Sequence, residues 1–432
     1  MIQILMPALS PTMEEGTIVK WLFKKGDKVF EGDIIAEIET DKAIMELESI
    51  ETGVINEIFF EEGEKNIKVN TPIATISSEN ETKINTPQKN IVDNKKKEED
   101  IENNSSKNIL TVREAIKDAL SCKMKENEDV FMIGEEIGEY QGAYKVTQGL
   151  LEEFGKKRVI DTPITEHGFS GLAIGSAFAG LRPVVEFMTF NFSMQAIDQI
   201  VNSAAKTSYM SGGEMNCPIV FRGPNGAASR VAAQHSQDFS AWYASIPGLK
   251  VICPFTAFDT YHLLKLSIDD DNPVIFLENE ILYSKKFEMS KDKVIPEIGK
   301  AKIFMKGTDL TLISYGIGMS YSLEAVKILE KENISIEVLD LLSLRPIDKN
   351  TILESVKKTN RCIIVEEAFP VCSIGNYITS IIVEEIFDYL DAPILNIANK
   401  DVPMPYAENL EKEAILKVED IVKSIQKIMQ GN

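Results

Sequence analysis

The chain is poor in the residues that metal sites and disulfide scaffolds draw on. Its 432 residues include three histidines, two tryptophans and five cysteines (Cys122, Cys217, Cys253, Cys362, Cys372), with no Cys-x-x-Cys pair. A zinc site is therefore not expected, and isolated cysteines in a chain of this size read as buried free thiols in a reducing compartment. Positive charge is also scarce: 67 acidic residues face 46 basic ones, for a formal net charge of −21. That balance excludes the basic footprint of a nucleic-acid binder and speaks for solubility and attraction to basic partners. Long apolar runs are missing too. An uncharged stretch such as Gly168 to Leu181 is rich in Gly, Ala and Ser and too short for the ~20 residues that span a bilayer. Met1-Ile2-Gln3-Ile4-Leu5-Met6-Pro7 carries no charged leader and alternates like a strand, so no signal or transit peptide is read there. A soluble, cytoplasmic protein of bacterial type is expected, with neither nucleic acid nor membrane among its partners.

Apolar residues are plentiful, 44% of the chain, enough to build two or three domains of roughly 100–200 residues each. Residues 1–78 contain an internal repeat. Gly16 to Gly26 aligns with Gly53 to Gly63 at a shift of 37 residues, which superimposes Ile18 on Ile55 and Phe23 on Phe60. Two alternating, glycine-punctuated halves are too few for a solenoid and suit a pseudo-twofold flattened β-barrel. At the junction, Thr40-Asp41-Lys42-Ala43 reads as a tight turn with Lys42 at its tip. Taken alone, Lys42 would be an ordinary surface lysine.

Residues 79–108 are polar and mixed in charge, including Lys95-Lys96-Lys97-Glu98-Glu99-Asp100. Such a segment cannot bury enough surface to offset its ordering entropy and reads as a disordered linker. From Ile109 onward, helical and apolar-strand patterns alternate as in open α/β sheets. Short strands are expected at 130–133, 159–160, 184–187, 219–221, 251–252 and 274–277, and a helix begins at Thr111. The charged, turn-rich stretch Lys285 to Glu297 separates this series from a second one. The latter has strands at 310–313, 336–339 and 363–365 and helices over 320–331 and 377–388. The α/β domains are therefore placed at 109–293 and 294–432.

The Asp41-Lys42-Ala43 turn at a two-fold junction resembles the lipoyl domains of 2-oxo-acid dehydrogenase complexes, which implies lipoate on Lys42. Biotin carriers share the fold but place the lysine between methionines, a pattern Asp41 does not match. Three further segments, Asp161 to Phe169, Phe187 to Gln199 and Phe221 to Gln237, each follow an expected strand. Together they resemble the beta subunits of thiamine-diphosphate-dependent pyruvate dehydrogenases. Leu341 to Ile347 and Glu366 to Phe369 are similar to the transketolase C-terminal domain. The fold expected is multidomain: an N-terminal flattened β-barrel of lipoyl/biotinyl-carrier type, then two α/β domains of transketolase type, a thiamine-binding pyrimidine domain and a C-terminal domain.

The resemblance also implies roles. Glu166 would bond the aminopyrimidine nitrogen of thiamine diphosphate and favour its imino tautomer, although a glutamate there could equally serve as a first-turn helix acid. Phe192 and Gln195 would line the same pocket, against the plainer reading of Phe192 as core. His235 would donate a proton to incoming lipoamide rather than serve as a structural histidine. No Gly-Asp-Gly segment occurs, so Mg²⁺ and the diphosphate are expected to be held mainly by a separate alpha subunit, in an alpha2beta2 heterotetramer that docks a dihydrolipoyl acetyltransferase core. Related beta subunits also imply a structural K⁺ at Ile219, Ser267, Ile268, Asp270 and Asn272. The implied reaction is decarboxylation of pyruvate and reductive acetylation of lipoamide, feeding acetyl-CoA formation. The alternatives are a branched-chain 2-oxo-acid or acetoin dehydrogenase beta subunit, or a non-catalytic lipoyl carrier and scaffold.

Overall fold

The computed structural model describes residues 2–7, 15–30, 33–39, 44–49, 52–69, 71–77, 109–227, 230–289 and 294–430. The turn at Lys42 and the expected linker 79–108 lie outside the described residues. The chain divides into two compact units, Met1–Glu102 and Asn103–Asn432.

In the first unit, eight strands follow one another: β1 (Ile2–Leu5), β2 (Glu15–Trp21), β3 (Lys28–Val29), β4 (Ile34–Glu39), β5 (Ile44–Glu48), β6 (Gly53–Ile58), β7 (Ile67–Lys68) and β8 (Pro72–Ser77). They form two sheets, ordered β1-β8-β6-β3 and β5-β4-β2-β7. Advancing every strand by four positions maps one sheet onto the other, so the two-fold repeat is real. The halves do not face each other as separate layers, however, because each sheet takes two strands from each half. Paired hydrogen bonds lock the exchange: Gly26 N–H donates to Ile55 O at 2.7 Å, and Gly63 N–H to Ile18 O at 2.6 Å. Ile18 and Ile55 are both fully buried in the shared core, as the alternating pattern requires.

The second unit holds β9 (Ile109–Thr111), β10 (Val130–Gly134), β11 (Val159–Asp161), β12 (Arg182–Glu186), β13 (Val220–Pro224), β14 (Lys250–Ile252), β15 (Val274–Glu278) and β16 (Lys286–Glu288). These are followed by β17 (Lys302–Met305), β18 (Leu310–Ser314), β19 (Ile336–Asp340), β20 (Ser343–Arg345), β21 (Cys362–Val365) and β22 (Leu395–Ile397). A seven-stranded sheet runs β11-β10-β12-β13-β15-β14-β20 and a five-stranded one β17-β19-β18-β21-β22. β10, β13 and β15 are buried along their whole length, as parallel strands covered on both faces must be.

Two features escaped the strand pattern. β20 comes from the C-terminal half yet pairs antiparallel with β14, Val251 opposite Arg345. The charged stretch after Lys285 supplies β16, which pairs with β9. Both are three-residue strands specified by long-range pairing rather than by their own apolar content. The apolar cores also cross between the two sheets, with Phe131 and Ile364 in one cluster. Of the thiols expected to be buried, Cys217, Cys253 and Cys362 are so, whereas Cys122 is half-buried and Cys372 exposed. Cys372 sits on a left-handed turn (φ +55°) just before the helix Ile374–Ile386.

At the carboxyl ends of three neighbouring strands lies a buried ion network. Arg222 on β13 is fully buried. Its guanidinium donates to Glu186 on β12 and bidentately to Glu278 on β15, which also accepts from Tyr283 Oη at 2.6 Å. Burial first, and then the neighbouring Glu278, push the Glu186 carboxyl above its ordinary range against the pull of Arg222. Removing one member of such a network strands buried charge, so Arg222→Leu is expected to cost about 3–5 kcal/mol. Denaturant unfolding followed by tryptophan fluorescence should show it, and a change below about 1 kcal/mol would contradict this account.

Candidate active site at the strand ends

Topology selects the site before any side chain is considered. The chain leaves β10 for β11 on one side and then crosses back to β12 on the other. Such a reversal opens a crevice beyond the carboxyl ends of the strands, where open α/β sheets hold ligands.

Glu135 follows β10 directly, and Glu166 opens the helix Glu166–Phe178 that follows β11. Both are buried, at 7% and 8% exposure. The first-turn position suits an anion, facing the helix dipole. Glu135 accepts the backbone N–H of Thr165, yet its Oε1 has no hydrogen-bond partner. Burial, and then the charge of Glu166, push its pKa up to about 7. A buried carboxyl shifted in this way is suited to holding a proton at neutral pH.

Beyond β12, Thr189 caps the 3-10 helix Phe190–Ala196. Residues three apart eclipse on such a helix, so Phe192 and Gln195 share a face; Phe192 is half-buried and Gln195 exposed. The opposite face is anchored: Phe190 is buried, and Ser193 Oγ meets Tyr243 Oη at 2.6 Å. The helix Glu166–Phe178 packs along this 3-10 helix, with Phe169, Phe187 and Phe190 forming an aromatic floor. His235, exposed on the short turn Ala233–His235, sets its ring edge-to-face on Phe192 at 5.2 Å between centroids. Asn191 joins the two segments. Its Oδ1 accepts from Gln237 N at 3.1 Å, and its Nδ2 donates to Thr189 Oγ1 at 2.8 Å.

Residues 109–286 match the transketolase pyrimidine binding domain, 299–421 the transketolase C-terminal domain, and 2–76 the "biotin-requiring enzyme" family model. The chain is 54% identical to the pyruvate dehydrogenase E1 component subunit beta of Rhizobium meliloti over 99% of both chains. It is 57% identical to that of Rickettsia bellii over 74% of this chain and 98% of the other, and 54% identical to the mitochondrial one of Saccharomyces cerevisiae over 75% and 90%. The chain belongs to the family of pyruvate dehydrogenase E1 beta subunits. A solved structure described as a split gene transketolase, inactive beta4 tetramer, shares the fold at TM-score 0.62 and 24% identity, covering 74% of this chain and 98% of that one.

Within this E1 beta fold, two surface grooves of about 540 and 340 Å³ lie away from the crevice, against the segment Ala241–Ile246. Neither is lined by Glu166, Phe192, Gln195 or His235. Among the residues expected around K⁺, Ile219 O accepts from Val274 N–H at 2.9 Å. Arg182 Nη1 donates to Ile268 O at 3.0 Å and to Asp270 O at 3.2 Å. The guanidinium thus already engages two of the expected carbonyls. Lys42 lies outside the described residues.

Sequence reasoning passed over Glu135, and took Asn191 only as the start of a segment, Asn191 to Met194, of pyruvate type. The signal for Glu135 was its place, one residue beyond a buried strand at the switch point, and only the strand order reveals that. A carboxyl that titrates at about 7 when folded and about 4.5 when free binds more protons in the folded state between those values. Its contribution to stability therefore falls as pH rises through that window. Glu135→Gln is expected to remove this part of the slope, stabilising the variant over wild type at about pH 8 more than at about pH 5. Thermal unfolding across that range checks it, and parallel pH profiles would refute it.

Proposed function

We propose that this chain, assembled with a separate alpha subunit, decarboxylates pyruvate on thiamine diphosphate and transfers the acetyl group to lipoamide, feeding acetyl-CoA formation. The observation that carries the reading is the grouping of Glu135, Glu166, Phe192 and His235 beyond the switch point, in a chain 54% identical over its length to a pyruvate dehydrogenase E1 beta subunit. The buried Oε1 of Glu135, without a hydrogen-bond partner among the described residues, and the half-buried Phe192 fit a polar aromatic ring.

Bound thiamine diphosphate would supply the electron sink that decarboxylation needs. Glu166 would hold a proton toward the aminopyrimidine nitrogen, Phe192 would pack on that ring, and Gln195 would line its edge. His235, at the exposed rim, would give a proton to the dithiolane sulfur of lipoamide. Mg²⁺ and the diphosphate fall to the alpha subunit, because the chain has no Gly-Asp-Gly segment. Exposed apolar side chains near the site support a partner surface: Ile164 is 86%, Tyr209 90% and Met210 70% exposed. An alpha2beta2 assembly docking an acetyltransferase core is the arrangement we favour. Lys42 would carry lipoate, and with the 79–108 linker it could be acetylated within its own assembly.

The K⁺ proposal rests on the carbonyls of Ile219, Ser267, Ile268 and Asp270 with Asn272, each carbonyl keeping a second lone pair. Replacing K⁺ by Na⁺ should lower the thermal midpoint by a few degrees, roughly 1 kcal/mol for a unit of this size. Equal midpoints in both salts would remove the site.

Glu166→Gln is expected to cost about 10²-fold or more in decarboxylation, the usual worth of a positioned acid–base group. His235→Ala should instead reduce lipoyl acetylation more than decarboxylation with an artificial electron acceptor. Intact-mass analysis of the alpha–beta enzyme given pyruvate reads the transfer directly, as an acetylated lipoyl adduct lost in Lys42→Ala. Near-wild-type turnover by Glu166→Gln, or an adduct that survives Lys42→Ala, would contradict the assignments.

A further inference from the structure

The segment that carries His235 is fastened from the C-terminal half of the unit. Glu367, just beyond β21, accepts the backbone N–H of Ala227 through Oε1 at 2.8 Å. The fit is close: Gly226 has φ +89°, and a Cβ there would lie 2.5 Å from that same oxygen. Ala227 is buried against Met404, Ala414 and Ile415. Three residues further on, the Arg230 N–H donates to Glu411 Oε1 at 2.9 Å. The base of the segment is closed by Gly226 N–H donating to Gln237 O at 3.1 Å, and Gln237 is the residue bonded to Asn191 beside Phe192.

Arg230 and Ala232 hold positive φ angles of 56° and 65°, conformations that persist only where surrounding contacts over-determine them. Fixed points outside the segment lie on Glu367 and on the helix Glu408–Ala414. The C-terminal half thus holds Ala227 and Arg230, and Gly226, next to Ala227, bonds Gln237, two residues beyond His235.

We propose that Glu367 is a positioning residue for His235, acting through Ala227 so that the C-terminal half sets the geometry of lipoyl transfer. This rests on the role given to His235 above. Losing the acceptor oxygen leaves the buried Ala227 N–H unpaired, a penalty large enough to release the segment. Glutamine keeps an acceptor oxygen at the same position and should hold it.

The test uses the assembled alpha–beta enzyme with Glu367→Ala and Glu367→Gln. In Glu367→Ala, kcat/KM for a free lipoyl domain should fall about tenfold, while decarboxylation with an artificial electron acceptor stays within about twofold. Hydrogen exchange in the peptide bearing His235 should rise, and Glu367→Gln should restore both readouts. Unchanged lipoyl transfer in Glu367→Ala would overturn the proposal. So would an equal fall of both reactions together with a lowered thermal midpoint, which would mark Glu367 as merely structural. Wild-type enzyme inactive on pyruvate with the artificial acceptor would sink the proposed reaction instead, and hydrogen exchange of the segment would still decide the positioning role.

Discussion

Everything at the crevice depends on strand ends that stay level, and a buried ion network sets that level. Arg222 holds Glu186 and Glu278 on the two strands flanking its own. Taking these charges out of water is costly, and their mutual attraction roughly offsets the cost only when every donor and acceptor is engaged. The network therefore contributes little net stability while forbidding alternatives: a slip of β12 or β15 would strand a buried charge. Phe187, the first residue past β12, donates its N–H to Arg222 O at 2.9 Å. Gly223 lets that segment approach, since a Cβ there would lie 2.3 Å from Phe187 O. The 3-10 helix bearing Phe192 thus starts from a position defined by charge pairing three layers of sequence apart.

The same logic explains why the two α/β halves behave as one body. β20 completes the edge of the first sheet, apolar clusters run through both sheets, and carboxylates from the second half cap backbone N–H groups of the first. A site whose walls come from one half and whose rim is fastened by the other tolerates little relative motion. Such rigidity suits chemistry that needs reacting groups held within fractions of an ångström.

Much of this was legible in the sequence, for identifiable reasons. The apolar runs of β10, β13 and β15 announce strands because burial on both faces leaves no polar positions. The 37-residue shift announces a two-fold barrel because the buried Ile18 and Ile55 recur in register. Glu166, Phe192 and His235 were singled out through segments that resemble a known family and that follow strands. What stayed hidden depends on pairing across the chain. The interleaving of the two repeat halves, the lending of β20 and the pairing of β9 with β16 are decided by distant partners. Glu135 was passed over because a glutamate after a strand is unremarkable until strand order puts it at the switch point, opposite a second buried carboxyl.

The relatives that match from about residue 109 onward cover 74% of this chain and 98% of their own, whereas the Rhizobium meliloti relative aligns over 99% of both. The N-terminal unit is therefore a part of this chain that some relatives share and others do not. Both of its sheets close on one apolar core. In the reading proposed here, a lysine-borne lipoyl group on this unit competes with carriers arriving on the acyltransferase. The outcome then turns on which carrier best meets His235, the group whose position the C-terminal half controls.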